Sequence, residues 1–223
     1  MNGWQLHDLT GEASELVAAT PEPEDRQVVV VRPDAATLIL GSAQRFSDAD
    51  TARAHALGIG VARRRSGGGA VLVAPDSQIW IDVFVPAGDR LADRDVGRAA
   101  WWLGDAWDIA LRSFGPPSGS GAFEVHRGAM ATTTWSRRVC FAGMGPGEVR
   151  AGERKYVGIS QRRNRAGIWL HSMALTAFDP ALLAALLQTD DDGDELARYL
   201  ATAVGTTNVS TASVVAAICS VER

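Results

Sequence analysis

Three things are scarce in this sequence of 223 residues: cysteine, lysine and long apolar runs. The two cysteines, Cys140 and Cys219, lie far apart and follow no export signal, so we do not expect a disulfide framework. The longest apolar windows are much shorter than a membrane span, and the N-terminus lacks the basic and apolar regions of a signal peptide. We therefore predict a cytoplasmic protein with no membrane partner.

The charge balance argues against another class of protein. A net charge of −4 at pH 7 is not that of a general nucleic-acid binder, which is normally basic overall. Arginines nevertheless cluster at 63–65 and at 162, 163 and 165, and such patches suit small anions or an acidic partner protein. The composition, 46% hydrophobic and 22% charged, predicts one globular domain over residues 1–223.

Lys155 is the only lysine, against 21 arginines. Arginine is a wide planar fork, whereas lysine is a compact charge on a flexible stem. A position that keeps lysine suits a pocket that holds one small oxygen, such as an acyl carbonyl or a phosphate oxygen. The alternative is a chance survivor of an arginine-biased composition. Alternation in residues 156–160 indicates a half-buried strand, in which Gly158 lets a backbone or a ligand come close.

Short apolar segments between turn residues predict a mixture of strands and helices. We predict strands at 27–32, 37–40, 59–65, 70–73 and 78–85, the last two forming a hairpin, and helices at 51–57, 95–114, 179–188, 194–204 and 210–221. Residues 115–121 are predicted to be a loop and residues 190–193 an acidic turn, while the polar N-terminal residues are assigned no element. The tryptophans at 101, 102 and 107 are expected in the core.

A run of three glycines, Gly67–Gly69, lies between two of these strands. Glycines expose backbone N–H groups to an anion or a carbonyl, and the arginines at 63–65 would supply charge. The alternative is a hairpin loop that needs positive φ angles. Gly41, at the end of an earlier strand, is a second place where a backbone can approach a ligand.

Cys140 opens a glycine-rich segment ahead of the Lys155 strand. Arg137 and Arg138 could lower the pKa of its thiol and make it a nucleophile, and the glycines that follow would let the loop move. The alternative is a small buried apolar residue, which is also the expectation for Cys219. Among the histidines only His171 lies beside these loops, so His7, His55 and His126 are assigned no role. No spacing predicts a metal site.

Two motifs resemble one known family. Residues 63–71, RRRSGGGAV, resemble the RRxSGGGAV loop of lipoate–protein ligase A and its relatives, and residues 152–161, GERKYVGISQ, resemble their GxRKxxGxAQ motif. Residues 41–44 match a strand-end GxxQ, a family histidine falls near His171, and residues 207–209 look like a late TN motif. The resemblance spans roughly 38–209 and implies the biotin/lipoate ligase catalytic fold. That fold is α+β, with a mixed, largely antiparallel sheet flanked by helices.

The resemblance also implies site residues. In the family the glycine loop lines the acyl and adenylate site, and the lysine contacts the acyl carboxylate and the phosphate. Lys155 would then be catalytic, together with Cys140 if a thioester forms. The substrate- or cofactor-binding residues would be Gly41, Gln44, Arg64, Ser66, Gly67, Gly68, Gly69, Ala70, Val71, Gly158, Ser160, Gln161 and His171.

Two reactions remain open at this point. Ligases usually carry an Asn-Asp pair ahead of the lysine, where this sequence has Val139-Cys140-Phe141, which resembles the cysteine-dependent octanoyltransferases of the same fold. The first expectation is a ligase that activates lipoate or octanoate as an acyl-adenylate with ATP and Mg²⁺; biotin is a weaker candidate. The second is a transferase that needs no cofactor and takes the acyl group from acyl carrier protein through a Cys140 thioester. A non-catalytic protein that binds acyl groups or nucleotides is the alternative from another class.

The implied partners follow from the acceptor. They are the lipoyl domains of 2-oxoacid dehydrogenase complexes or the glycine-cleavage H protein, each carrying a specific lysine. Ligases of this type often have a small accessory domain after the catalytic one, and the chain is expected to end before it. A separate accessory subunit would then be a further partner.

Overall fold

The computed structural model describes residues 3–18, 23–115, 121–188 and 192–221. Most of the loop predicted at 115–121 and half of the acidic turn predicted at 190–193 lie outside the described residues. The strands are β1 (Trp4–Gly11), β2 (Arg26–Pro33), β3 (Thr37–Leu40), β4 (Gly60–Arg63), β5 (Val71–Val73), β6 (Gln78–Pro86), β7 (Phe123–Val125), β8 (Val149–Ala151), β9 (Arg154–Arg163) and β10 (Gly167–Leu175). The helices are α1 (Ala13–Ala18), α2 (Thr51–Ala56), α3 (Trp101–Arg112), α4 (Pro180–Ala185), α5 (Gly193–Ala203) and α6 (Thr211–Cys219).

The described strands form two sheets. The larger has seven strands in the order β1-β2-β6-β10-β9-β8-β7, and the smaller has three in the order β4-β3-β5. All neighbours pair antiparallel except β1 with β2 and β3 with β4, which are parallel. The predicted α+β fold with a mixed, largely antiparallel sheet is therefore confirmed.

Alternation along β6 explains how the layers pack. Ile79, Ile81, Val83 and Val85 join a core cluster with residues of α3 and α6 on one face of the large sheet. Trp80 and Phe84 point to the other face, where they join a second cluster with the small sheet, α4 and α5. Because both faces are covered, this central strand is apolar at nearly every position.

The predicted hairpin of residues 70–73 and 78–85 is wrong. β5 pairs with β3 in the small sheet, whereas β6 pairs with β2 and β10 in the large one. The turn between them carries the chain from one sheet to the other, with Asp76 at a φ of 59°. The Ser77 hydroxyl and the Gln78 amide both hydrogen-bond to Ala74 and close this turn.

The helix predicted at 95–114 begins later than expected. α3 starts at Trp101 after a single 3₁₀ turn, because the Asp95 carboxylate accepts hydrogen bonds from the N–H groups of Gly97 (2.8 Å) and Arg98 (3.0 Å) and holds a turn there. Two of the three tryptophans, at 102 and 107, are buried as predicted, whereas Trp101 is half-buried with the Arg127 guanidinium over its ring.

The other predicted elements are found within three residues of their expected ends, but the polar N-terminal segment also forms β1 and α1. Most of β1 is exposed, so its sequence lacks the apolar pattern that marks a buried strand. Within the described ranges, no helix is long and apolar enough to cross a membrane.

Candidate active site

A cavity of about 320 Å³ lies between the large sheet and the segments of the small sheet that face it. Its floor is formed by β1, β2, β6, β10 and β9, and its other walls by α1, the residues around the glycine loop and the segment that begins at Cys140. The apolar lining residues include Leu9, Leu16, Val17, Val29, Val31, Ile39, Val71, Trp80, Phe141, Trp169 and Met173. The polar ones include His7, Asp8, Gln27, Arg64, Arg65, Ser66, Asp82, Cys140, Ser160, Arg162, His171 and Ser172.

Strand register arranges the floor in rows, because directly paired residues of neighbouring strands face the same side. One row is almost wholly apolar and runs through Leu9, Val31, Trp80, Met173 and Gly158. The next row carries four polar side chains and runs through His7, Val29, Asp82, His171 and Ser160. His7, to which sequence reasoning gave no role, therefore lines the cavity at the edge of the sheet.

The glycine loop crosses the end of β3 and is not a hairpin, because β4 and β5 lie on opposite sides of β3. A Cβ on Gly41 would overlap the carbonyl oxygen of Gly68, so this strand-end glycine admits the loop itself. A Cβ on Gly69 would lie 2.5 Å from the Val139 nitrogen. Both glycines are thus needed for close backbone packing.

Arg64 holds the glycine loop from within. Its Nη2 donates to the carbonyl oxygens of Gly67 and Gly69, each at 2.8 Å. Gly68, between them, has a φ of +94°. Because two carbonyls turn towards the guanidinium, Arg64 fixes the shape of the loop in addition to lining the cavity.

The N–H groups of this loop remain available as donors. No described residue accepts a hydrogen bond from the backbone N–H of Gly67, Gly68 or Gly69. Ser66 is buried beside them, and its hydroxyl accepts a hydrogen bond from Ser160 on β9 at 3.0 Å. The loop therefore combines free amide donors with a direct tie to the cavity floor, an arrangement that suits an oxygen with developing negative charge.

Cys140 is half-buried and lines the cavity next to this loop. Its Sγ lies 3.6 Å from the position that a Cβ on Gly68 would take. The segment begins with a 3₁₀ turn at Cys140–Ala142, and the Cys140 N–H donates to the Ala70 carbonyl at 2.9 Å. Arg138 pairs with Asp192 at 2.8 Å and is not directed at the thiol.

Lys155 lies beneath this turn and not among the residues that line the cavity. Its Nζ is 2.6 Å from Oε2 of Glu148 and donates to the carbonyl oxygens of Cys140 (2.9 Å) and Gly143 (3.0 Å). Lys155 is 2% exposed and Glu148 4%, so this is a buried ion pair. All three N–H donors of the ammonium have protein acceptors, and two of those acceptors belong to the segment that carries the thiol.

Glu148 is held as firmly as its partner. Its Oε2 also accepts from the Gly145 N–H at 2.6 Å, and its Oε1 accepts from the Ile159 N–H at 3.0 Å. Two backbone donors and an ammonium thus hold this almost fully buried carboxylate in place. The pair thus links the Cys140 turn to β9.

His171, on β10, is paired with Asp82 on β6. Its Nδ1 lies 2.9 Å from Oδ2 of Asp82, and the other oxygen, Oδ1, accepts from Trp80 Nε1 at 2.7 Å. The imidazole ring also stacks on Trp169, with ring planes 10° apart. The position predicted for His171 beside the site loops is found, and its acidic partner is an addition to the predicted set.

The remaining predicted residues divide between the cavity and its surroundings. Gln44 is buried and braces the strand end, since its side chain accepts from the Gly41 N–H and donates to the Arg138 carbonyl. Ala70 hydrogen-bonds to the segment at 138–140, and Gln161 reaches the Val96 carbonyl at 2.7 Å. These three support the site, whereas Arg64, Ser66, Val71, Cys140, Gly158, Ser160 and His171 line the cavity.

Sequence reasoning missed Asp82, Glu148 and His7. Asp82 gave a usable signal, because it is the one carboxylate inside the apolar strand QIWIDVFV, and an acidic side chain there requires a partner. Glu148 gave none, since a glutamate in a glycine-rich segment is most often solvated. Cys219, assigned to packing, lies at the end of α6 against the α3 cluster, where burial raises the pKa of its thiol.

Solved structures with a similar fold include those of lipoate protein ligases. The structure of a bipartite lipoate protein ligase and its E2 lipoyl domain from Thermoplasma acidophilum matches with a TM-score of 0.71 and 20% identity, covering 98% of this chain and 81% of that one. A lipoate-protein ligase A bound with ATP matches with a TM-score of 0.68 and 19% identity over 98% and 83%. A T. acidophilum lipoate protein ligase with bound lipoic acid matches with a TM-score of 0.66 and 19% identity over 98% and 82%.

The sequence comparison agrees with the fold. A search against curated proteins found no matching sequence. The family profile of the lipoyl protein ligase A/B catalytic domain, by contrast, matches residues 13–213, which include the glycine loop, Cys140, Lys155 and His171. The chain therefore belongs to the lipoyl protein ligase A/B catalytic domain family.

Proposed function

We propose that the protein transfers a lipoyl or octanoyl group to the ε-amine of a lysine on a carrier protein domain, through a thioester on Cys140. The observation that carries this proposal is the position of the thiol. It lines an apolar cavity and lies against Gly68, in a loop whose three glycine amides have no acceptor among the described residues. The thiol thus lies beside a loop that offers unpaired backbone N–H donors, and such donors could stabilise an oxyanion formed when the thiol attacks a carbonyl.

The cavity suits a medium-length acyl chain. Its volume falls at the lower end of the range for small-molecule sites, and most of the surface that lines it is apolar. An acyl chain lying on the apolar row would keep its carbonyl near Cys140 and Gly158, beside the glycine loop. The carrier domain would then present its lysine from the open side.

The chemistry takes two steps. In the first, the Cys140 thiol gives up its proton and its sulfur attacks the carbonyl carbon of an acyl thioester on acyl carrier protein; a new C–S bond forms, the old one breaks, and the carrier sulfur leaves and takes up that proton. In the second, a neutral lysine amine attacks the enzyme thioester, an amide bond forms and the Cys140 sulfur is released. The amides of the glycine loop would stabilise the oxyanion in both steps.

An ATP-dependent ligase is the second candidate, favoured by the structural likeness to a ligase bound with ATP. Arg65 and Arg162 line the cavity and would hold the phosphates, and ATP with Mg²⁺ would activate lipoate or octanoate as an adenylate. Lys155 is less suited to that task here, because Glu148 and two carbonyls take all its donors. For this reason we propose the thioester route ahead of the ligase.

The deciding experiment follows each route separately. The protein is mixed with octanoyl acyl carrier protein and its intact mass is recorded, and in parallel ATP–pyrophosphate exchange is measured with lipoate, octanoate and biotin. The thioester route predicts one added octanoyl group, lost in Cys140→Ser and kept in Cys219→Ser, and then transfer to a lipoyl domain or to glycine-cleavage H protein.

Two other outcomes would reject the thioester route. Exchange with lipoate, together with full activity of Cys140→Ser, would establish the ligase and reject the thioester. The absence of both a covalent adduct and exchange would point to a non-catalytic protein that binds acyl groups or nucleotides.

A further inference from the structure

The Asp82–His171 pair is a polar element on the floor of a mostly apolar cavity. The side chain of Asp82 is 13% exposed and that of His171 29%, so both are largely removed from water. Burial of a carboxylate and an imidazole costs free energy, and an acyl chain lying on them offers no hydrogen bond in return. The pair is not required to join the strands, because β6 and β10 are already paired along nine residues. It therefore calls for a chemical role.

The contact with Asp82 fixes where a neutral His171 carries its proton. An ionised carboxylate accepts from Nδ1–H, which leaves the lone pair on Nε2. No described residue hydrogen-bonds to Nε2. The Trp80 indole holds the other oxygen of Asp82, and Trp169 stacks on the imidazole, so the ring has a set plane and direction. A carboxylate-oriented histidine with a free Nε2 has the geometry of a general base.

The pair lies one strand away from Ser160, which ties β9 to the glycine loop. His171 is directly opposite Ser160 on β9, and Cβ atoms at such positions are about 4.5–5.5 Å apart. Ser160 in turn donates to Ser66 at the start of the glycine loop, and Cys140 lines the same cavity close to Gly68 of that loop. The other charged or titratable residues that line this cavity are His7, Asp8, Arg64, Arg65 and Arg162.

We infer that His171, oriented by Asp82, is the general base that deprotonates the ammonium of the acceptor lysine. The acceptor needs such a base because an unperturbed lysine has a pKa of about 10.4, so only about one in a thousand is neutral near pH 7.4. The inference rests on the proposed transfer to a lysine amine, but it applies whether the acyl donor is the Cys140 thioester or an adenylate.

The protons balance as follows. The lysine ammonium loses two protons when it becomes an amide nitrogen. The first passes to Nε2 of His171 before attack and from there to water. In the thioester route the second is lost as the tetrahedral intermediate collapses, and it ends on the departing sulfur of Cys140; in the adenylate route it is released to water.

The test distinguishes deprotonation of the acceptor lysine from the other steps by changing the nucleophile. Wild-type protein, His171→Asn and Asp82→Asn are first loaded with an octanoyl group from acyl carrier protein. Each is then given either a lipoyl domain or hydroxylamine, which is neutral at neutral pH and needs no base. Both variants should form the thioester and acylate hydroxylamine within about threefold of wild type, while transfer to the lysine falls about 100-fold.

Two controls guard against a simple packing defect. His55→Asn changes an exposed histidine on α2 and should leave all rates unchanged. Imidazole added to a His171→Ala variant should restore part of the transfer to lysine without changing the hydroxylamine reaction. Asp82→Asn is expected to behave as His171→Asn, because an amide that donates to Nδ1 moves the histidine proton to Nε2.

Equal loss with lysine and hydroxylamine would show that His171 only shapes the cavity, and full transfer to lysine by His171→Asn would show that no base is needed there; either result overturns the inference. If wild type forms no thioester, the proposed function fails in its covalent step. The same comparison of lysine with hydroxylamine is then made with octanoyl-adenylate as donor, and it decides the role of His171 independently.

Discussion

The ammonium of Lys155 and the carboxylate of Glu148 form a buried ion pair 2.6 Å long, directly beneath the turn that carries Cys140. The pair gives the only lysine of the chain a specific task. A compact ammonium meets three acceptors at once, namely one carboxylate oxygen and two carbonyl oxygens. We therefore propose that Lys155 positions the thiol, whereas its motif alone implies a contact with the acyl carbonyl.

Removal of the ammonium should destabilise the protein strongly. Lys155→Met leaves the Glu148 carboxylate buried without its counter-charge, which typically costs about 3–5 kcal/mol of unfolding free energy. Urea denaturation of Lys155→Met, Glu148→Gln and the double variant measures this cost. The double variant should be more stable than Lys155→Met, because the unpaired charge is gone. A cost below about 1 kcal/mol for Lys155→Met would show that the pair is not formed in solution.

Lys155→Arg should abolish acyl transfer even though it keeps the charge. The wider guanidinium must fit a position that is 2% exposed, and overpacking of this kind typically costs about 1–3 kcal/mol. The guanidinium cannot make the three contacts that Nζ makes with its acceptors, so the Cys140 turn must move. We expect a folded protein with a lowered melting temperature and at least about 100-fold slower thioester formation. Near-normal thioester formation by this variant would remove the positioning role.

Gly68→Val should disable the glycine loop. Its φ of +94° is unfavourable for a β-branched residue, and a Cβ there would lie 2.9 Å from Arg64 Nη2. The loop must therefore shift, and thioester formation on Cys140 should fall steeply. Gly58→Val is the matched control: its φ is +68°, but a Cβ meets no atom within 4 Å, so it carries the backbone cost alone. Equal loss of stability with equal loss of activity in both variants would refute a specific role of the loop.

Acid stability should depend on Asp89 and Arg26. Burial alone would raise the pKa of Asp89, but hydrogen bonds from Arg26 and the Leu91 N–H bring it below its ordinary value of 3.8. The folded protein thus binds this proton less readily than the unfolded chain. The stabilisation is present above the unfolded pKa and is lost as the pH falls through the folded one.

The measurement is the free energy of unfolding between pH 6 and pH 2 for wild type and Arg26→Met. The variant should lose less stability on acidification, since Asp89 then titrates closer to its unfolded value. Arg98→Met is the control, because its partner Asp93 is much more exposed and salt screens that pair more effectively. If Arg26→Met lost as much unfolding free energy as wild type between pH 6 and pH 2, Arg26 would not be the cause of the lowered pKa of Asp89.

The sequence predicted local structure well and partners in space poorly. β3 and the start of α2 at Thr51 follow from short-range chemistry, and both are found where expected. The assignment of β5 to a hairpin with β6 failed because either pairing satisfies the apolar pattern. The packing of the two sheets decides between pairing with β6 and pairing with β3, and that packing depends on residues far apart in the sequence.

The candidate site divides in the same way. The glycine loop, Cys140 and Lys155 were identified from the sequence because their residue types are unusual where they stand. The contact between Lys155 and Glu148 could not be predicted, because the two side chains meet only once the segment at 140–148 has folded. Asp82 was recognisable in principle, since a lone carboxylate in an apolar strand must be paired or must react.

β1 joins the large sheet only along β2, and most of its residues are exposed on both faces. Strands of this kind fray at far lower free energy than the centre of a sheet. Because His7 and Leu9 continue the two floor rows, each fraying event would briefly open the side of the cavity along Val29 and Val31. Fraying of β1 would then set the rate at which acyl groups enter and leave the cavity. Fast amide hydrogen exchange confined to residues 4–11 would reveal this motion.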